Sequence, residues 1–226
     1  MTNIAKNISL LKKQIIECEM CYHRKPNSVF LLAVSKTQSI EKIRQAIAAG
    51  QRAFGENYLQ ESLKKMTALA DENVEWHFIG VMQSNKTRKI AEHFAWVHTV
   101  SDKKIAQRLN DQRPPHLPPL NICLQINTSH EVNKSGIDEA DGLQLAEYCN
   151  QLPHLKLRGL MSIPAFKNNF TEQCEQFSKL AAVFNRCNER GFKLDTLSMG
   201  MSHDMEAAIA EGATIVRIGT AIFGER

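Results

Sequence analysis

Apolar residues recur along the chain in two alternating rhythms, helical spacing and short continuous runs, and the alternation itself predicts the architecture. Ile4, Ile8, Leu11, Ile15 and Cys18 fall at three- and four-residue steps. They predict an amphipathic helix over 3–23, stopped by Pro26 and Asn27. An apolar run over 29–35 reads as a buried strand. Ser39 then opens a helix with Ile40, Ile43 and Ile47 on one face, ended by Gly50. The same unit repeats, with strands expected over 52–54, 75–79, 96–100, 120–126, 155–160, 194–198 and 214–218. Helices are expected over 57–70, 84–94, 102–112, 138–151, 171–190, 203–211 and 220–223. RPPHLPP at 113–119 cannot continue a helix and reads as a surface connection.

Strict alternation of strands and helices implies a parallel sheet. Eight such units after one extra N-terminal helix predict an α/β fold, a (β/α)8 TIM-type barrel forming one domain over 1–226. A doubly wound open sheet is the alternative, but its G-x-G-x-x-G fingerprint is absent from the sequence.

Composition narrows the setting without naming a function. Hydrophobic residues make up 43% and charged residues 23% of the 226, which argues against disorder. No apolar run approaches the ~18 residues of a membrane span. Lysines interrupt the apolar residues of MTNIAKNISLLKKQ, unlike a signal peptide. A cytoplasmic protein is therefore expected. Six scattered cysteines read as free thiols, and Cys18 and Cys21 form a lone C-x-x-C without the second pair a zinc site needs. The net charge of +4 is mild. Lys86, Arg88 and Lys89 form the densest basic cluster. It reads as a solvated helix face, and nucleic-acid binding through it is a distant alternative that predicts steep salt dependence.

In such a barrel the active site lies at the C-terminal ends of the strands. Those ends carry Lys36, Gly55-Glu56-Asn57, Gly80 with Gln83-Ser84-Asn85-Lys86, Asn127 to Gly136, Ser162-Ile163-Pro164, Gly200-Met201-Ser202 and Gly219-Thr220. The last two units are the usual phosphate site of this fold. Ser202 reads as the cap of one helix, and Gly219-Thr220 opens another, so backbone N–H groups face the mouth from both. An N-cap and a tight turn would explain the same residues without a ligand. Arg217 interrupts the apolar strand TIVRI and needs an acceptor, either a barrel carboxylate or a ligand. Lys36 closes the apolar run FLLAVSK. A lysine there serves as a point charge for phosphate or, desolvated, as a nucleophilic amine. Lysine, phosphate cradle and arginine in one mouth meet the needs of pyridoxal 5′-phosphate (PLP): an amine for the aldehyde, helix termini for the phosphate and a guanidinium for the pyridine nitrogen.

AVSKT at 33–37, FGENY at 54–58, WHFIG at 76–80, QSNK at 83–86 and GLMSIP at 159–164 resemble motifs of the pyridoxal phosphate homeostasis proteins, single-domain relatives of the alanine racemase barrel. So do Glu131…Lys134-Ser135-Gly136, LSMGMS at 197–202 and VRIGTAIFG at 216–224. The resemblance departs at Val81-Met82, where proline and leucine are common, and at Ser101, where aspartate is frequent. It implies PLP fold type III, with a Schiff base on Lys36 and Arg217 at the pyridine nitrogen. It also implies that Ser202, Gly219 and Thr220 hold the phosphate and that Asn57 is a further pocket residue. His77 has two readings, a pocket residue or a satisfied histidine inside the barrel. Lys134 and Lys86 are candidates for a secondary amine toward PLP, with solvated surface lysines as the alternative.

Two readings share that cofactor: a carrier or buffer of PLP serving vitamin B6 and amino-acid homeostasis without turnover, and a PLP-dependent racemase or decarboxylase. A two-base racemase needs an acid/base on each face of the substrate α-carbon. Alanine racemase takes one, a tyrosine, from a second domain. The chain ends at Arg226 directly after the last barrel element, so no such domain is expected, and Tyr22, Tyr58 and Tyr148 offer no evident substitute. An arginine at the pyridine nitrogen also weakens the electron sink. The carrier reading is the expectation, with PLP-dependent apoenzymes as recipients, no membrane or nucleic-acid partner, and a monomeric protein.

Overall fold

The computed structural model describes residues 3–128 and 136–225. The chain begins with helix α1 (Ile4–Cys21). It then alternates β1 (Phe30–Val34), α2 (Ile40–Ala48), β2 (Ala53–Glu56), α3 (Leu59–Ala68), β3 (Glu75–Phe78), α4 (Thr87–His93), β4 (Trp96–Val100) and α5 (Lys103–Gln112). It continues with β5 (Leu120–Gln125), α6 (Glu139–Asn150), β6 (Leu155–Met161), α7 (Phe170–Glu189), β7 (Thr196–Ser198), α8 (Met205–Ala210), β8 (Ile215–Ile218) and α9 (Thr220–Phe223). Every expected element is present. The strands pair in sequence order, all parallel, and β8 closes on β1 with Phe30 to Ala33 aligned on Ile215 to Ile218. The closed barrel rules out the open-sheet alternative, and closure leaves no sheet edge for other chains to extend.

Boundaries differ from expectation mainly where turn chemistry delays a helix. The helix expected from residue 84 starts at Thr87, because Lys86 N–H donates to the Gln83 carbonyl and the Thr87 hydroxyl to that of Ser84. Among the described residues no helix is long and apolar enough to cross a membrane.

The main core fills the space between strands and helices and includes Ile43, Phe54, Phe78, Phe94, Leu109, Phe177 and Phe223. Ile4, Ile8, Leu11 and Ile15 tie α1 into this layer, as their spacing predicts. Two smaller apolar groups stand apart from it: Leu32, Ala53, Ile79 and Ile215, and Trp96, Cys123 and Met161. Strand alternation places them inside the barrel. The buried polar residues His77, His98, Ser198 and Arg217 share that interior. Burial pushes the Cys123 thiol up to about 12, and all six cysteines are free.

Candidate functional site

A pocket at the C-terminal end of the strands is lined by Lys36, Asn57, Ser202, Arg217, Gly219 and Thr220, together with apolar Val34, Ile79 and Ile163. All six residues singled out from sequence therefore meet in one cavity. They come from four strand ends as far apart in the chain as β1 and β8. Gln38, Met201, His203 and Gly224 complete the lining. Lys86 lies at the start of α4 and does not line the pocket. Lys134, Glu131 and Ser135 lie outside the described residues.

Lys36 is half-buried and stands in a turn just beyond β1. Thr37, next to it, has φ of 63°, the left-handed region that a β-branched residue seldom enters. Its N–H donates to Glu61 Oε1 at 2.6 Å. Glu61 in turn accepts from Lys65 Nζ, which also donates to Glu56 Oε1 at 2.7 Å and to the Ser35 carbonyl at 2.6 Å. The Ser35 hydroxyl donates to the same Glu56 oxygen at 2.6 Å. Glu56 and Lys65 are both buried, so this pair is not a screened surface bridge. Burial pushes the Glu56 carboxyl up, against the opposing pull of Lys65. The strained turn that carries Lys36 is thus anchored from beneath by an ion cluster on β2 and α3. Sequence reading missed this cluster. Its one local signal was the i,i+4 spacing of Glu61 and Lys65 on a helix.

Arg217 is held differently. Its guanidinium is buried and donates through Nη1 to the Ser198 carbonyl at 2.5 Å and the Ser198 hydroxyl at 2.9 Å. Nη2 donates to the Ser162 carbonyl at 2.9 Å. Among the described residues no carboxylate accepts from it, and its acceptors there are two carbonyls and a hydroxyl rather than a salt-bridge partner. Burial pulls its pKa down to about 10, opposed by Asp204 and Cys123. It remains a cation and a donor near neutral pH.

Ser202 is not the helix cap expected of it. Asp204 occupies the cap position of α8, and its Oδ1 accepts the Met201 N–H at 2.6 Å. This contact builds a turn over 202–204 and leaves Ser202 exposed in the pocket wall, three residues before the helix. Gly200, at φ of 94°, lets the chain leave β7 in that direction, and a Cβ there would stand 2.5 Å from Ala208 Cβ. Gly219 and Thr220 open α9 as expected. Asn57 depends on Gly80, where a Cβ would lie 2.1 Å from the Asn57 carbonyl oxygen. His77 is not a pocket residue. It is buried in the barrel, bonded to Glu75 and His98.

The donor set suits an anionic, amine-reactive aromatic ligand. It offers two cations, two exposed hydroxyls, apolar walls for a ring, and Asn57 Oδ1, which is buried without a hydrogen-bond partner among the described residues. PLP presents the matching groups: a phosphate, an aldehyde and a pyridine ring.

Known proteins point the same way. The family described as "Alanine racemase, N-terminal domain" matches residues 1–226. The pyridoxal phosphate homeostasis protein of Vibrio alginolyticus is 54% identical, over all of this chain and 99% of its own length. PipY of Synechococcus elongatus, whose structure was solved with PLP bound, is 36% identical with a TM-score of 0.85, over 98% of this chain and 100% of PipY. Alanine racemase of Clostridium difficile shares the fold at 14% identity and a TM-score of 0.75, with 57% of its length covered. Matched from end to end to a homeostasis protein and to the racemase barrel family, the chain belongs to the pyridoxal phosphate homeostasis proteins of the alanine racemase N-terminal domain family.

Proposed function

We propose that this protein binds PLP in the mouth of the barrel and holds it by a reversible covalent link to Lys36, carrying or buffering the cofactor rather than turning over a substrate. The observation that carries this reading is the convergence of Lys36, Arg217, Ser202 and Thr220 on one pocket. When bound, PLP supplies an aldehyde that condenses reversibly with amines. Lys36 is the amine, on a turn whose conformation Glu61 and Lys65 maintain. Arg217 presents a fixed N–H donor toward the ring. Ser202, Gly219 and Thr220 receive the phosphate, with the first N–H groups of α9 available to an anion. Val34, Ile79 and Ile163 exclude water from the ring. An amino acid that competes with Lys36 for the aldehyde would release the cofactor, and PLP-dependent apoenzymes are the intended recipients. The protein acts as a monomer.

The test is reduction with borohydride followed by peptide mapping. PLP should be fixed to Lys36, and Lys36→Ala should lose the absorbance of the bound form while staying folded. Label on a different lysine would overturn the site. Racemisation or decarboxylation of any member of an amino-acid panel at enzymatic rates would overturn the carrier reading.

A further inference from the structure

Beneath the pocket the barrel interior holds a second polar assembly that cofactor binding does not itself require. Glu75 is the first residue of β3, so it lies at the N-terminal end of the barrel, opposite the mouth. Its carboxylate, 48% exposed, stands 2.9 Å from His77 Nε2. His77 Nδ1 is 2.9 Å from His98 Nε2, and His98 Nδ1 is 2.8 Å from the Ser198 hydroxyl. Ser198 is also the side chain that accepts from Arg217. Four hydrogen bonds therefore run without a break from one end of the barrel to the guanidinium in the pocket.

The Glu75 end, with both imidazoles neutral, fixes the direction of every bond. A carboxylate only accepts and a guanidinium only donates. Starting from Glu75, His77 must carry its proton on Nε2. Both imidazoles are buried and held neutral by that burial, so His77 Nδ1 accepts, and His98 must carry its proton on Nε2. His98 Nδ1 then accepts from the Ser198 hydroxyl. With its single proton used, Ser198 can only accept from Arg217. Arg217 alone would not fix this direction, because the Ser198 hydroxyl has two lone pairs and could accept from both neighbours; Glu75 does. The rings are also held in place: His77 lies between Phe30, 6.3 Å away, and Trp96, which is 5.4 Å away and almost parallel.

We propose that Glu75, His77, His98 and Ser198 are positioning residues, a one-way hydrogen-bond chain through the barrel that fixes where the Arg217 guanidinium stands at the pocket and whose direction Glu75 sets from the opposite end. Without Glu75, the histidines can adopt the other tautomer. His98 would then donate to Ser198, and the hydroxyl proton would have no place in the chain. Placing the Arg217 donor against the ring rests on the function proposed above, but the direction of the chain does not.

Nitrogen-15 NMR of the histidine side chains tests the direction in the protein without added PLP. Both His77 and His98 should be neutral and protonated at Nε2. Glu75→Ala, a change at a half-exposed position that the fold tolerates, should bring in the Nδ1-protonated form at both rings. Ser198→Ala, which cuts the chain at its other end, should leave both at Nε2, because Glu75 still governs them. Affinity for PLP should fall about tenfold in each variant, the scale of one hydrogen bond to a charged group, with borohydride still attaching the cofactor to Lys36. Nδ1 protonation in the parent protein would overturn the proposal. So would unchanged tautomers in Glu75→Ala, whatever happens to affinity. Normal tautomer behaviour in a protein that fails to bind PLP would instead overturn the cofactor reading and leave the chain standing.

Discussion

Lys36 and Arg217 line the same pocket, and the fold supports them by different means. Lys36 sits half-buried in a turn beyond its strand, and that turn is kept in an unfavourable backbone conformation by a cluster of buried Lys65 and Glu56 with the partly exposed Glu61. Arg217 lies within β8, buried at the pocket floor, and is held by main-chain carbonyls of β7 and of the segment after β6, with a neutral imidazole chain behind Ser198. The first support is ionic and made of side chains, so it can be taken apart one residue at a time. The second is largely backbone and follows from closing the barrel. In the function proposed here, the lysine that would form and release a covalent bond stands on the adjustable support, and the arginine that would only present a donor stands on the rigid one.

The largest expected effect strikes the ionic support. Lys65→Met leaves the buried Glu56 carboxylate without its cation and should cost about 4 kcal/mol of stability, read by urea denaturation. Because Glu61 then loses its anchor, covalent attachment at Lys36 should weaken as well. An equally stable protein would show that the cluster is not what holds the turn. Arg217→Met should cost somewhat less, about 3 kcal/mol, since it orphans the buried Ser162 carbonyl and takes donors from Ser198, whose carbonyl keeps the Ser162 N–H, but leaves no unpaired charge. In that variant Lys36 should still be modified by PLP and borohydride, at higher concentration. If Lys36 became unreactive there, the two supports would not be separable.

A third test uses pH. His77 and His98 have folded pKa values below the ordinary 6.5, because burial disfavours their charged forms. On acidification the unfolded chain takes up protons that the folded chain refuses. The full stability is therefore present above about 6.5 and is lost as pH falls through the unfolded pKa. Between pH 7 and 5.5 stability should fall, both histidines contributing in the same direction. Glu56, whose pKa is raised, acts in the opposite sense on acidification. The difference between the parent and His98→Gln, read by urea denaturation at each pH, isolates the His98 contribution, and the variant should lose less stability on acidification. Identical slopes would mean that the imidazoles titrate normally. The smallest effect belongs to Thr37→Gly. Glycine accepts the left-handed conformation freely, so the change should stabilise the protein by up to about 1 kcal/mol. It should also make attachment at Lys36 less dependent on Lys65.

Much of the pocket lining was readable because charged residues interrupt the hydrophobic pattern. Lys36 closes an apolar run and Arg217 breaks one, and neither needed a structure to be noticed. Ser202 was correctly placed at the mouth but given the wrong structural role. A serine before an apolar stretch is a good cap, and Asp204, two residues on, is an equally good one. The competition was decided by the Asp204 contact to Met201, which depends on how the chain leaves β7. His98 carries no sequence signal and Ser198 enters only as part of LSMGMS, since a histidine or serine inside a strand carries no periodic signal. Their bond joins residues 100 positions apart.

Sequence alone determined the order of elements, the parallel closed barrel and the identity of the two cations. Each of these follows from local pattern: hydrophobic period, turn residues, and charges where a buried strand should have none. Only the tertiary structure decided what holds those cations. A buried charge takes whatever partner the packing brings within hydrogen-bond reach. In this barrel that is an ion cluster on β2 and α3 for the turn bearing Lys36, and carbonyls with a directed histidine chain for Arg217.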